Sequence, residues 1–97
     1  MIGSFGNKLA KDLYEDLLTK ETKKLPSEIL RRARMKLFYL NEAHDLNDLK
    51  IPPGNKIEAL KGDLKGFYSI RINDQWRIIF KWQQETAFEV SIVDYHK

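Results

Sequence analysis

The 97-residue chain contains no cysteine, which removes disulfide bonds, thiolate nucleophiles and thiolate zinc sites together. Histidine is nearly absent too. Only His44 and His96 are present, and two imidazoles without a cysteine beside them do not make a metal site, so neither a metal nor a cofactor is expected. Long apolar runs are missing: Met1-Ile2-Gly3-Ser4-Phe5-Gly6-Asn7-Lys8 reaches a charged residue quickly, without a stretch of signal-peptide or membrane-spanning length. These absences make the cytoplasm the expected compartment, with no membrane contact.

What is present suits a folded protein. Hydrophobic residues make up 42% of the chain and aromatic residues 11%, enough apolar surface to offset the entropy of ordering one core. The length is too small for two independently packed cores, so a single domain over residues 1–97 is expected. A net charge of +3 and a pI near 9.2 favour polyanionic or acidic partners, although a solvated basic exterior accounts for the charge equally well.

Leu9, Leu13 and Leu17 recur every fourth residue, with Tyr14 and Leu18 beside them and charged residues opposite, which predicts an amphipathic helix. Pro26 and Ser27 then offer a cap to a second helix, whose apolar positions are Leu30, Ala33, Leu37 and Leu40. Its basic residues Arg31, Arg32, Arg34 and Lys36 are expected to solvate the helix, with phosphate contact as the other reading. Asp45 to Leu49 reads as a short capped turn, and Pro52-Pro53-Gly54-Asn55 interrupts regular structure.

Downstream the period changes to two. Tyr68, Ile70 and Ile72 alternate with Phe67, Ser69 and Arg71. Asn73-Asp74 turns the chain into Trp76, Ile78, Phe80 and Trp82, which alternate with Arg77, Ile79 and Lys81. A last strand is expected to place Phe88, Val90 and Ile92 on one face and Glu89, Ser91 and Val93 on the other. Helices before strands predict an α+β fold in which two N-terminal helices pack on one face of a mainly antiparallel sheet. Ser69, Arg71, Arg77 and Lys81 then lie on the uncovered face, where arginine forks could grip phosphate, or could simply be solvated.

Two further features could carry chemistry. In Leu60-Lys61-Gly62-Asp63-Leu64-Lys65-Gly66 the glycines permit backbone conformations that bring lysines close to a ligand, but the spacing is not that of a nucleotide-binding phosphate loop. Asp94-Tyr95-His96 packs a carboxylate, a phenol and an imidazole into three residues; a terminal histidine is ordinarily inert unless it lies beside the cationic face. Metal-free RNA cleavage needs a base for the 2′-hydroxyl, an acid for the departing 5′-oxygen and cations around the phosphate. Lys61, Arg77, Asp94, Tyr95 and His96 are the residue types for those tasks.

Three blocks, Pro52 to Asp63, Tyr68 to Ile78 and Val93 to His96, resemble in order the pattern of the HigB (proteic killer) toxins of the RelE/ParE superfamily. Met1-Ile2-Gly3-Ser4-Phe5 and the two helices resemble that family too, so the likeness spans nearly the whole chain. It implies a RelE-like fold with a curved sheet whose concave face meets mRNA in the ribosomal decoding site. It also implies a type II toxin that cleaves RNA without a metal and inhibits translation, with a HigA-type helix-turn-helix antitoxin that binds the shared operon, so that DNA is met only through the antitoxin.

Carried over by position, the resemblance gives Lys61 and Arg77 to transition-state charge, His96 to acid or base work, Tyr95 to stacking or proton transfer through its hydroxyl, and Asp94 to orienting His96. Lys61, Lys65, Arg71, Arg77 and Lys81 are the expected RNA contacts. Glu58 stands where some relatives have histidine, and as a carboxylate ionised at neutral pH it could be the base. His44 is expected to be structural or exposed. A ParE-like inhibitor of gyrase and a non-catalytic RNA-binding module are the alternatives on the same scaffold.

Overall fold

The computed structural model describes residues 1–95. Helix α1 spans Lys8–Tyr14 and α2 spans Ser27–Glu42; strands β1 (Glu58–Ala59), β2 (Tyr68–Arg71), β3 (Trp76–Gln83) and β4 (Thr86–Asp94) form an antiparallel sheet in the order β1-β2-β3-β4. The fold is therefore α+β, with two helices preceding a four-stranded meander.

Asn7 starts α1: its side-chain oxygen accepts the Ala10 amide at 3.1 Å, while its amide group donates to the Ile92 carbonyl at 2.8 Å, tying the helix entrance to β4. The helix ends earlier than the leucine repeat predicts. Asp16 adopts a left-handed conformation (φ 60°), and the amides of Leu17 and Asp16 close back on the carbonyls of Asp12 and Leu13 at 2.9 and 3.1 Å. This double closure terminates the helix, so Leu17 and Leu18 lie beyond it and Leu18 is 81% exposed. At α2 the expected serine cap is displaced: Pro26 occupies the cap position, Ser27 is the first helical residue, and no side chain caps the end.

One buried cluster joins Leu9, Ala10 and Leu13 of α1, Ala33, Leu37 and Leu40 of α2, and the sheet residues Ile70, Ile72, Ile78, Phe80, Ala87, Val90 and Ile92. Ile70, Ile78 and Ile92 are direct cross-strand partners, so a continuous row of β-branched side chains crosses three strands. Burial of each large side chain contributes roughly 1.5–3 kcal/mol.

The basic face of α2 does more than meet water. Arg32 donates to the Ile72 carbonyl at 3.0 Å and Arg34 to the Leu13 carbonyl at 3.1 Å, while Lys36 donates to the side chain of buried Asn55. The expectation that these cations only solvate the helix is corrected: three of them brace it to the residue that follows β2, to α1 and to the proline turn.

A second correction lies in β4. Lys81 pairs with Phe88 but Ile79 pairs with Ser91, so β4 carries one extra residue, and Glu89 sits there with φ 52°. This bulge reverses the alternation. Phe88 therefore shares Lys81's face, and Ala87 replaces it in the core. Outside β4 the segment Met1 to Gly6 runs parallel to it, with Gly3 and Gly6 donating to Ala87 and Val90 and with Met1 and Ser4 accepting from the same two residues. The last strand thus has partners on both sides.

Candidate functional site

The face opposite the isoleucine row is defined by register. Glu58, Ser69, Ile79 and Ser91 align across the sheet in one row, and Arg71, Arg77 and Val93 form the next. The face is not uniformly cationic. Ser69, Ile79 and Ser91 are only 0%, 6% and 8% exposed, and the Ser69 hydroxyl has no hydrogen-bond partner among the described residues. A low, close-packed strip thus separates the arginines at one end of β3 from Lys81 toward the other.

Arg71 and Arg77 face each other directly across β2 and β3. Like charges in that position repel, and each arginine has local compensation. Arg71 donates to the Asp74 carboxylate, a bond that holds the Asp74 carboxyl below its ordinary value, with the arginine's charge adding to the effect. Arg77 donates to the Asn73 carbonyl, and its guanidinium lies 4.8 Å from the centre of the Tyr95 ring. The cation–π contact and the turn carbonyl hold the guanidinium in a defined plane.

The end of β4 completes this group. Asp94 pairs with Trp76 and accepts from the Gln75 side chain at 3.0 Å, and the Tyr95 amide donates to the Gln75 carbonyl at 2.6 Å. Gln75 therefore fixes both residues, a role that sequence reading missed; its only signal there is its place between the Asn73-Asp74 turn and Trp76. The Asn73 side chain, which accepts the amides of Gln75 and Trp76 at 3.0 and 2.7 Å, shapes that turn.

Of the expected site residues, the structure brings together Arg71, Arg77 and Tyr95; Asp94, in the row of Trp76, belongs to the face of Ile78 and Ile92. Glu58 is exposed on β1, two strands away and one row along, which puts its Cα about 12 Å from that of Arg77 for ordinary strand spacing. Lys61 is exposed at the entrance to the turn Gly62–Leu64, and Lys65 at its exit; Gly62 and Gly66 take the positive φ values, 65° and 97°, that glycine permits. Lys81 lies 5.1 Å from the Phe67 ring and pairs with Glu89 at 3.0 Å. His44 is exposed near Glu85. His96 lies outside the described residues.

A planar cation with a phenol stacked on it, on the face away from the core, can bind and polarise a phosphodiester. Comparison with known proteins agrees with this geometry. The family profile described as "RelE-like toxin of type II toxin-antitoxin system HigB" matches residues 3–96. The chain belongs to this HigB-like family. It is 42% identical over 93 residues to Toxin HigB-1 of Vibrio cholerae serotype O1, covering 96% of this chain and 95% of that protein. It is 31% identical over 96 residues to Endoribonuclease HigB of Proteus vulgaris, covering 99% and 100%. Among solved structures, a chain of the YoeB-YefM complex from Staphylococcus aureus superposes with a TM-score of 0.61 at 18% identity, covering 100% of this chain and 99% of that one, a likeness of fold. As a HigB-like toxin of a type II system, the protein has an antitoxin as its partner.

Proposed function

We propose that the protein is a ribosome-dependent, metal-independent mRNA endoribonuclease that inhibits translation, acting as a single domain over residues 1–97. The observation that carries this reading is the Arg77 guanidinium held between the Asn73 carbonyl and the Tyr95 ring, beside Arg71, on the sheet face away from the core. The name and 31% identity of Endoribonuclease HigB support the same activity. In this reading the two helices cover one face of a curved sheet, and the opposite concave face receives mRNA.

Arg77 and Lys61 neutralise charge as the phosphorane forms, while Lys65, Arg71 and Lys81 carry the flanking phosphates. A base, Glu58 or His96, removes the proton of the 2′-hydroxyl. The oxygen then attacks phosphorus, the bond to the 5′-oxygen breaks, and an acid, His96 or Tyr95, protonates the departing oxygen; the products are a 2′,3′-cyclic phosphate and a 5′-hydroxyl. Asp94 orients His96. The partner is a HigA-type helix-turn-helix antitoxin, through which alone the toxin meets DNA, and the working compartment is the cytoplasm.

The test is 5′-end mapping of mRNA on purified translating ribosomes, with wild-type protein and His96→Gln and with chelator present throughout. Cuts that require the ribosome, persist in chelator and vanish in the variant are expected. Intact mRNA from a protein that remains toxic in cells would overturn the reading in favour of a protein target such as gyrase; RNA retained but not cut would reduce it to a binding module.

A further inference from the structure

At the other end of β3 from Arg77 lies a hollow of about 620 Å³ bounded by Ser4, Lys65, Lys81, Phe88 and Glu89. It exists because of two features described above. The bulge at Glu89 turns Phe88 out of the core onto the same face as Lys81, and the parallel N-terminal segment closes the side beyond β4. A Cβ at Gly3 would lie 2.8 Å from the Phe88 ring, so the glycine lets that ring lie low over the segment. Phe88 remains half-buried, Lys65 and Lys81 are exposed, and Glu89 is held by its backbone bond to the Ser4 hydroxyl (2.9 Å) and by its pairing with Lys81.

From this arrangement we infer that the hollow is a second RNA subsite, which stacks one unpaired nucleobase on Phe88 and holds the adjoining phosphate with Lys65 and Lys81. An aromatic ring flanked by cations is the combination that binds single-stranded nucleic acid without reading its sequence. Glu89, an acceptor only when ionised, adds a preference for a base that presents an amino group. Lys81 stands four residues from Arg77 along β3, about 13 Å, so the nucleotide seated here flanks the one being cleaved. The subsite acts on binding, and its loss shows in the half-saturating toxin concentration and not in the saturating rate.

This inference rests on the ribonuclease reading, and one experiment separates the two. Single-turnover cleavage is measured on ribosomes programmed with mRNA that is intact or abasic at one nucleotide near the cut, using the wild-type chain, Phe88→Leu, Phe88→Tyr and Lys65→Ala. For wild type, one abasic position raises the half-saturating toxin concentration about 5- to 150-fold, the equivalent of one lost base stack. Phe88→Leu shows that weakening with intact mRNA and is indifferent to the abasic site, whereas Phe88→Tyr behaves as wild type. Lys65→Ala, in an exposed loop away from the core, weakens binding uniformly and lowers the salt slope by about one. Abasic penalties equal in wild type and Phe88→Leu, together with unchanged binding by Lys65→Ala, would overturn the subsite and leave the nuclease standing. No cleavage of any mRNA by wild type would overturn both.

Discussion

Replacing Arg77 by lysine keeps the charge and removes the geometry, which makes it the most discriminating change at the site. One guanidinium nitrogen of Arg77 donates to the Asn73 carbonyl, the guanidinium carbon lies 4.8 Å from the centre of the Tyr95 ring, and among the described residues the other nitrogens stay available as a fork for phosphate oxygens. A lysine cannot hold the turn carbonyl and present two parallel donors at the same time. Loss of one preorganised transition-state donor lowers rates about 10²- to 10³-fold, and loss of the ring contact, about 0.5–1 kcal/mol, adds a factor of roughly 2–5. Stability falls by only about 1 kcal/mol, because the charge facing Arg71 is unchanged and the ring contact that is lost is worth about 0.5–1 kcal/mol. Single-turnover cleavage on programmed ribosomes, with urea unfolding alongside, reads both quantities. A lysine variant within about threefold of wild type would refute the argument that the guanidinium's plane and fork matter, since one lost donor alone exceeds that change.

Phe80→Ala, at the centre of the buried cluster, is expected to lower unfolding free energy by about 3–5 kcal/mol in urea titrations. Gly6→Ala sets a Cβ against the Ser91 hydroxyl and 2.7 Å from the Glu89 carbonyl oxygen, at a cost of about 1–3 kcal/mol, and amide exchange at Gly6 and Val90 should lose protection first. Asp12 is held below its ordinary value of 3.8 by the Lys8 hydrogen bond, which outweighs the opposing effect of burial, with Thr19 assisting. Its folded-state pKa is depressed, so its contribution is present above about pH 3.8 and is lost as pH falls through the folded value. Asp12→Asn should therefore flatten the acid limb of stability against pH.

The elements that sequence made legible are those where local pattern and tertiary burial agree. The Leu30, Ala33, Leu37, Leu40 spacing marks α2, and Asn73-Asp74 between two alternating runs marks the β2–β3 turn, which puts Arg71 and Arg77 on one face. Phe88 was misplaced because a bulge leaves no trace in hydrophobic alternation; Glu89 takes a positive φ through its pairing with Lys81, Ser4 and the rest of its surroundings, not through its own preference. The end of α1 was missed for a related reason: Leu17 and Leu18 continue the apolar rhythm, and only the left-handed Asp16 and its returning hydrogen bonds stop the helix. Of the candidate site, the facing of Arg71 and Arg77 was legible in the alternation, whereas the bracing of Asp94 and Tyr95 by Gln75 depends on strand register at the far end of the chain.

The pairing of the first residues with β4 also sets a clock. The Ser4 hydroxyl and the Glu89 amide that bond across this seam are 85 positions apart, and Asn7 reaches Ile92 over the same separation. At ordinary rates of synthesis the N-terminal segment is made about 4–17 s before its partner strand. Until β4 arrives, β3 has a bare edge and Arg77 has no ring to lie against. The nascent chain therefore begins to leave the ribosome unassembled, and the contact of Arg77 with Tyr95 forms only after β4 has been made.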